Sequence, residues 1–209
     1  MKVFFLSGSD TDVGKTYATS KLIQTLQNQG LKALAIKPIE TGVNPIALDS
    51  TLHLQDAQRL FPQLTLDSIN LYSFPLPASP FVADPLGEIE CKKIFSHIAS
   101  FEEMLDILVV EGAGGLFVPI KRDYYMIDFA LELQERFGSE LIFVCDDRLG
   151  MLNRILSGKF ILENRGVKHH LFINLREREV FEKINAPYLK AIDLKFESDI
   201  KSLAQKIGR

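Results

Sequence analysis

Three consecutive residues near the start of the chain, Gly14, Lys15 and Thr16, have the groups needed to bind a phosphate and a metal ion. They follow an apolar run over residues 2–8 and precede a helical pattern, which is the setting of a phosphate-binding loop. In such a loop, backbone N–H groups at a helix N-terminus point at phosphate oxygens, the lysine adds charge and the threonine hydroxyl can bind Mg²⁺. The sequence therefore predicts binding of a nucleoside triphosphate.

The spacing of this loop departs from the usual pattern. Ser9 stands five residues before Gly14, where a glycine is usual, and Gly8 lies one position further back. A Gly-Lys-Thr triplet alone is a weak signal, but its place between a strand and a helix makes the signal strong. The sequence thus indicates a variant phosphate-binding loop with five residues between its glycines.

Two charged residues at the ends of other apolar runs extend this chemistry. Lys37 ends the run over residues 31–37, and a cation there could stabilise charge on a transferred phosphoryl group. Glu111 ends the run over residues 106–111, before a glycine-rich turn, and is a candidate magnesium ligand with Thr16. The alternatives, a surface lysine at a strand end and a simple tight turn, stay open at this point.

The elements that must position these residues alternate along the chain. Strands are predicted over residues 2–8, 31–37, 106–111, 140–145 and 168–174. Helices are predicted over residues 14–29, 51–61, 88–103, 125–137 and 150–165. This order favours a three-layer α/β fold like that of P-loop NTPases, with a mostly parallel central sheet and helices on both faces. Ligands in that architecture bind beyond the carboxyl ends of the strands, where four candidates would emerge: Gly8, Lys37, Glu111 and Asn174.

Composition limits the remaining possibilities. The 209 residues suit a single domain, 1–209, and five prolines predict an ordered loop over residues 62–87. With 24 basic and 27 acidic residues the net charge is −3, which makes nucleic acid an unexpected partner. Cys91 and Cys145 are far apart and are expected to be reduced. No apolar run suits a signal peptide or a membrane span, so we expect a cytoplasmic protein without a membrane partner.

Five blocks, in order, resemble those of the dethiobiotin synthetase family: residues 8–16, 37–42, 77–80, 111–115 and 149–153. The resemblance implies an ATP-dependent cyclo-ligase of biotin synthesis that converts 7,8-diaminononanoate and CO₂, supplied as bicarbonate, to dethiobiotin, ADP and phosphate. It implies a route through a carbamate and a carbamic-phosphoric anhydride, with ATP as co-substrate and Mg²⁺ as cofactor. It also implies a homodimer with the substrate site at the interface.

The same resemblance assigns roles to residues. Catalysis would involve Thr11, Lys15 and Lys37. The nucleotide would be bound by Asp12, Val13, Gly14, Lys15, Thr16, Tyr17, Glu111, Gly112, Ala113, Gly114 and Asn174. The diamine would be bound by Thr11, Asp12, Lys37, Thr41, Leu149, Gly150 and Asn153. Magnesium would be held by Thr16, Glu111 and Asp56, with Asp49 as the alternative to Asp56.

Three positions depart from the family pattern, and one other class shares the loop. Asp12 stands where the family more often has Glu, Leu175 stands where Asp is common, and residues 184–196 lack the usual Gly-x-Ile-Pro segment. The preference for a nucleotide base therefore stays open. Partitioning ATPase switches have the same variant loop, but they place a lysine where this chain has Asp10, which argues against that alternative.

Overall fold

The structure is a computed structural model that describes residues 1–208. In chain order its strands are β1 (Lys2–Gly8), β2 (Ala33–Ile36), β3 (Ile39–Thr41), β4 (Tyr72–Phe74), β5 (Ile107–Gly115), β6 (Pro119–Lys121), β7 (Tyr124–Tyr125), β8 (Glu140–Asp146) and β9 (His169–Asn174). Its helices are α1 (Lys15–Asn28), α2 (Leu48–Gln58), α3 (Leu66–Ile69), α4 (Pro80–Ala83), α5 (Cys91–Ala99), α6 (Met126–Phe137), α7 (Met151–Asn164), α8 (Arg178–Ile184), α9 (Ala186–Ala191) and α10 (Ile200–Ile207).

Five strands form one parallel sheet in the order β2-β5-β1-β8-β9. The register pairs Phe5 with Val110 on one side and with Leu141 on the other. Because all five strands run the same way, their carboxyl ends meet at one edge, where the loops after β1, β2 and β5 lie together. The α/β fold with a parallel central sheet is confirmed.

Helices cover both faces of this sheet. Successive side chains of a strand point to opposite faces, and in β1 Val3 and Phe5 join one apolar cluster while Phe4 and Leu6 join the other. The first cluster includes α5, α6 and α7, and the second includes α1 and α10. Burial on both faces explains why the central strands read as continuous apolar runs.

The proline-rich segment contains more regular structure than the sequence predicts. Instead of one loop over residues 62–87, it has two short helices, α3 and α4, and strand β4, which pairs in parallel with β3 outside the main sheet. The prolines are compatible with this arrangement because Pro80 occupies the first turn of α4, where no helical N–H bond is lost. The prediction of a loop was wrong over these elements.

Other boundaries differ by a few residues. The second helix begins at Leu48 rather than at residue 51, and β5 continues through its glycines to Gly115, which pairs with Gly8. The β6–β7 hairpin and the last two helices, α9 and α10, were not predicted, whereas the charged run over residues 176–179 does indicate the start of α8. Among residues 1–208, no helix is both long and apolar enough to cross a membrane.

Candidate functional site

The predicted phosphate loop connects β1 to α1 at the carboxyl edge of the sheet. Gly14, the residue before α1, has φ +86°, a left-handed conformation that favours glycine. A Cβ on Gly14 would also clash with Nδ2 of Asn174. The first N–H groups of α1 have no carbonyl partner inside the helix and point beyond its start. The loop can therefore direct several N–H groups and the positive end of α1 at an anion.

The end of β9 holds this loop in place. Asn174 donates from Nδ2 to the carbonyl of Val13 at 3.0 Å, and Arg176 donates from Nη2 to the carbonyl of Asp12 at 2.6 Å. Asp146, fully buried at the end of β8, pairs with Arg148, Arg154 and Arg176. Asn174, predicted to contact the nucleotide, thus lies against the loop, where its amide nitrogen already binds the backbone. Arg176 and Asp146 were not predicted as parts of the site.

Two lysines lie buried beside the loop. Lys15 donates from Nζ to the carbonyl of Asp10 at 3.0 Å, and it is only 7% exposed. Lys37, 6% exposed, donates from Nζ to Glu111 Oε1 at 3.1 Å and also pairs with Asp49. Thr16 donates from Oγ1 to the same Glu111 oxygen at 2.8 Å. The structure therefore brings residues from β1–α1, β2, α2 and β5 into one charged cluster.

The electrostatic balance of this cluster keeps Glu111 and Lys37 charged. Burial alone would raise the pKa of Glu111, but Lys37, His53 and Thr16 together hold that pKa well below its usual range. Burial alone would lower the pKa of Lys37, but Glu111 and Asp49 raise it above its ordinary value. Burial lowers the pKa of Lys15, an effect that Glu111 opposes and the charge of Lys37 reinforces. A negatively charged ligand beside Lys15 would raise its pKa again and favour its charged form.

Most of the predicted contact residues line one cavity of about 290 Å³. Its walls include ten of them: Thr11, Asp12, Gly14, Lys15, Thr16, Tyr17, Lys37, Thr41, Ala113 and Gly114. Asp49 completes the lining. The cavity thus combines two lysines, three threonine hydroxyls and the start of α1, which are groups suited to a polyphosphate and a second anion.

Two of the predicted nucleotide contacts have a packing role. Val13 is fully buried in the apolar cluster that contains α1. Gly112 lies in β5, where a Cβ would come within 2.7 Å of the Phe5 ring. Glu111 itself is 1% exposed and lies beneath the cavity, where it binds Thr16 and Lys37. Val13 and Gly112 thus pack against the apolar core, and Glu111 holds the side chains of Thr16 and Lys37 in the cavity wall.

A second cavity, of about 380 Å³, adjoins the loop on its other side. It is lined by Thr11 together with Ser9, Asp10, Phe117 and residues of α7 that include Asn153. Leu149, 99% exposed, and Gly150, with φ +84°, precede α7 and line neither of the two cavities. The predicted substrate residues 149–153 therefore form an exposed helix start beside the site, with only Asn153 inside the second cavity.

The structure does not bring Asp56 to the charged cluster. Asp56 lies in the last turns of α2 and accepts a hydrogen bond at 2.8 Å from Gln24, which is two turns of α1 beyond Thr16. The alternative, Asp49, lies in the first turn of α2 and binds Lys37. The reason is the earlier start of α2, which puts Asp49 at the edge of the sheet and carries Asp56 away from it.

One further residue of the cluster was missed from the sequence. The ring of His53, fully buried in α2, places Nε2 2.8 Å from Glu111 Oε2. His53 follows Asp49 by four residues, so both lie on one face of α2. This spacing is a signal that sequence analysis could have used if the helix start had been known.

The oxygen donors fit a magnesium ion. Thr16 Oγ1 and Glu111 Oε1 lie 2.8 Å apart, and Asp49 lines the cavity together with Thr16. Hydroxyl and carboxylate oxygens are the ligands that Mg²⁺ prefers. Within residues 1–208, no group of three or more His, Cys, Asp or Glu side chains is arranged to hold a metal ion. Such an ion would therefore depend on phosphate oxygens as well, as is usual for magnesium nucleotides.

Solved structures with a similar fold include a cell division protein complex and an ATPase. A chain of the MinC:MinD cell division protein complex of Aquifex aeolicus has a TM-score of 0.58, covering 94% of this chain and 79% of that one at 14% identity. A ParA family ATPase of Chlorobium tepidum has a TM-score of 0.56, covering 94% and 82% at 17% identity. At these identities the likeness shows the fold alone.

Sequence comparison is more specific. Residues 2–189 match the family model described as an AAA domain. The ATP-dependent dethiobiotin synthetase BioD of Wolinella succinogenes is 39% identical, covering 99% of this chain and 98% of that protein. The protein of the same name from Helicobacter pylori is 32% identical, covering 98% and 96%. Since these matches span nearly the whole of both chains, the chain belongs to the dethiobiotin synthetase family.

Proposed function

We propose that this protein converts 7,8-diaminononanoate, CO₂ and ATP to dethiobiotin, ADP and phosphate. Family membership supports the reaction, and one observation links it to the geometry: Lys15, at the start of α1, and Lys37, directly after β2, are buried in the same cavity. A single loop lysine is enough to bind a triphosphate. A second buried lysine suits a second anion, such as the carbamate of the diamine, next to the γ-phosphate.

The reaction needs charge stabilisation more than proton transfer from the protein. One substrate amine attacks CO₂ and loses a proton to give a carbamate. A carbamate oxygen then takes the γ-phosphoryl group of ATP, which releases ADP and leaves a mixed anhydride. The second amine attacks the anhydride carbon and loses a proton, the bond from this carbon to the phosphate oxygen breaks, and phosphate departs from the cyclic urea. Negative charge lies on the carbamate and phosphate oxygens throughout, beside the two lysines.

The roles of the two lysines follow from their surroundings. Lys37 remains an ammonium because Glu111 and Asp49 raise its pKa, so it suits electrostatic stabilisation and not general base catalysis. Lys15 and the N–H groups at the start of α1 bind the phosphates. Thr11, which lines both cavities, is placed to donate its hydroxyl to a carbamate between them.

Thr16, Glu111 and Asp49 are the proposed magnesium ligands, in place of the set with Asp56. Support comes from the hydrogen bond between Thr16 and Glu111 and from the position of Asp49 in the cavity that Thr16 also lines. When bound, Mg²⁺ would neutralise part of the charge on the β- and γ-phosphates. Asp49 would then bind the ion and give up part or all of its contact with Lys37. The Lys37 ammonium would thereby become available to the carbamate.

We further propose a homodimer in which residues 149–153 of one subunit bind the carboxylate end of the diamine held by the other. The support is the exposure of Leu149 directly before α7, where Gly150 takes a left-handed conformation. A helix N-terminus is a suitable site for a carboxylate.

Incorporation of isotope-labelled bicarbonate into a cyclic urea tests the proposed reaction. With ATP, Mg²⁺ and diamine present, the wild-type chain should release phosphate and form labelled product, and Lys15→Ala and Lys37→Ala should each abolish turnover. Parallel reactions with GTP and CTP measure the base preference. ATP turnover that does not depend on the diamine would contradict the proposal and favour the ATPase switch.

A further inference from the structure

The buried carboxylate of Glu111 uses its two oxygens for different partners. Oε1 accepts hydrogen bonds from Thr16 and Lys37, two residues that line the cavity. Oε2 faces away from them and lies 2.8 Å from Nε2 of His53. Both His53 and Glu111 have side chains with no exposed surface. Thr16 and Lys37, the partners of Oε1, lie in two of the five blocks that resemble the family. His53, the partner of Oε2, lies outside all five.

The direction of this hydrogen bond can be assigned. The Lys37 ammonium, which can only donate, pairs with this carboxylate, so Oε2 is assigned as an acceptor and Nε2 of His53 as the donor. Within residues 1–208, Nδ1 of the same ring has no hydrogen-bond partner. The contact with Glu111 is therefore the polar contact that sets the orientation of the ring in the described structure.

The position of His53 is fixed by the start of α2. The residue before α2, Ala47, has no side chain that could cap the helix. Glu40 of β3 takes this role and accepts the N–H groups of Asp49 at 3.1 Å and Ser50 at 2.9 Å. One turn later, His53 lies on the same face as Asp49. The helix thus presents Asp49 to Lys37 and His53 to Glu111 as one unit.

We propose that His53 is a positioning residue, which holds Oε2 of Glu111 so that Oε1 stays directed at Thr16 and the proposed magnesium site. This inference rests on that proposed site. The terminal torsion of a glutamate is broad, so without the donor the carboxylate can turn and offer either oxygen to Lys37. Donors that orient metal ligands change metal affinity or activity by about 10–100-fold.

Three substitutions separate the donor from the bulk of the ring. In His53→Gln the side-chain amide nitrogen can occupy the place of Nε2, whereas in His53→Asn the amide is one carbon shorter and cannot reach Glu111. His53→Leu removes the donor completely. His97 provides matched controls, because its Nε2 donates to the carbonyl of Ser68 at 2.9 Å in α3, away from the site. His97→Gln and His97→Leu repeat two of the changes there.

The main measurement is binding of Mn²⁺ in the presence of ATP, followed by the electron paramagnetic resonance signal of free Mn²⁺. The dissociation constant should rise about 10–100-fold in His53→Asn and His53→Leu. It should stay within about threefold of wild type in His53→Gln and in both His97 variants. Relative to wild type, the turnover of His53→Asn should be lower at limiting Mg²⁺ than at saturating Mg²⁺. A general packing defect would lower turnover equally at both concentrations.

Several results would overturn the proposal. One is equal metal affinity in His53→Gln, His53→Asn and wild type, and another is loss of the fold in all three His53 variants, which would make the residue structural. A wild-type chain that binds no Mn²⁺ with ATP would also overturn it. Since metal binding needs no diamine, failure to form a cyclic urea would refute the proposed reaction while leaving this test decisive for His53.

Discussion

Lys15 and Lys37 are buried to the same degree, but their partners differ. Lys37 contacts two carboxylates, Glu111 and Asp49, whereas Lys15 donates to one backbone carbonyl, that of Asp10. Consequently, burial lowers the pKa of Lys15, while the ion pairs raise the pKa of Lys37. The charge of Lys37 is balanced by carboxylates of the protein itself, whereas Lys15 needs an anionic ligand to balance its charge.

The two lysines should therefore differ in their effect on stability. Lys37→Ala leaves Glu111 buried without its ion pair, and breaking a buried pair costs about 3–5 kcal/mol. Lys15→Ala removes a buried charge that has no acidic partner in direct contact, so we expect a change within about 1 kcal/mol. Urea unfolding without nucleotide or metal measures both free energies. Equal destabilisation by the two substitutions would contradict this distinction, whatever their effect on turnover.

At the scale of elements, the phosphate loop depends on the end of β9. Asn174 and Arg176 bind the carbonyls of Val13 and Asp12, so the loop conformation is fixed by a strand far away in sequence. Gly14 must be a glycine for two reasons, its left-handed φ and the contact with Asn174. Strain at this position should therefore affect stability and ligand binding together.

Comparison of Gly14→Ala with Gly30→Ala separates these two reasons. Gly30 has φ +87°, nearly that of Gly14, but a Cβ there would meet no atom within 4 Å. Both substitutions should lose about 1–2 kcal/mol from the left-handed conformation. Gly14→Ala should lose at least about 1 kcal/mol more, because Asn174 must move and give up a hydrogen bond. Urea unfolding and calorimetric ATP binding test this, and equal stability with unchanged ATP affinity in both variants would refute it.

The same scale shows what could be predicted from the sequence and what could not. Strands such as β5 and β8 were predictable because burial on both faces gives continuous apolar runs. The start of α2 was not, because its cap comes from Glu40, nine residues before Asp49, and not from a neighbouring side chain. Asp56 was preferred to Asp49 because residues 55–60 resemble a family pattern, and without the start of α2 the shared face of Asp49 and His53 could not be recognised. Elements defined by tertiary contacts were thus the ones that local pattern missed.

At the scale of the whole molecule, one sheet edge organises two cavities. They meet at Thr11, with the two lysines on one side and α7 on the other. Asp146 connects these sides, since it pairs with Arg154 of α7 and with Arg176, which also binds the phosphate loop. We therefore propose that residues 1–209 act as one domain.

The proposed homodimer gives the last prediction, because Leu149 is 99% exposed and lines neither of the two cavities. Leu149→Asp adds negative charge where the diamine carboxylate should bind, and it should weaken the dimer and raise the KM for the diamine at least about tenfold, or about 1.4 kcal/mol. The KM for ATP should change little, because the phosphate loop and both lysines are untouched. Sedimentation equilibrium and steady-state kinetics measure these effects. Leu60→Asp, a change at a 44% exposed leucine just beyond α2, provides the matched control and should leave all three quantities unchanged. A monomeric wild-type chain with full activity, or equal effects of the two substitutions, would refute the shared site.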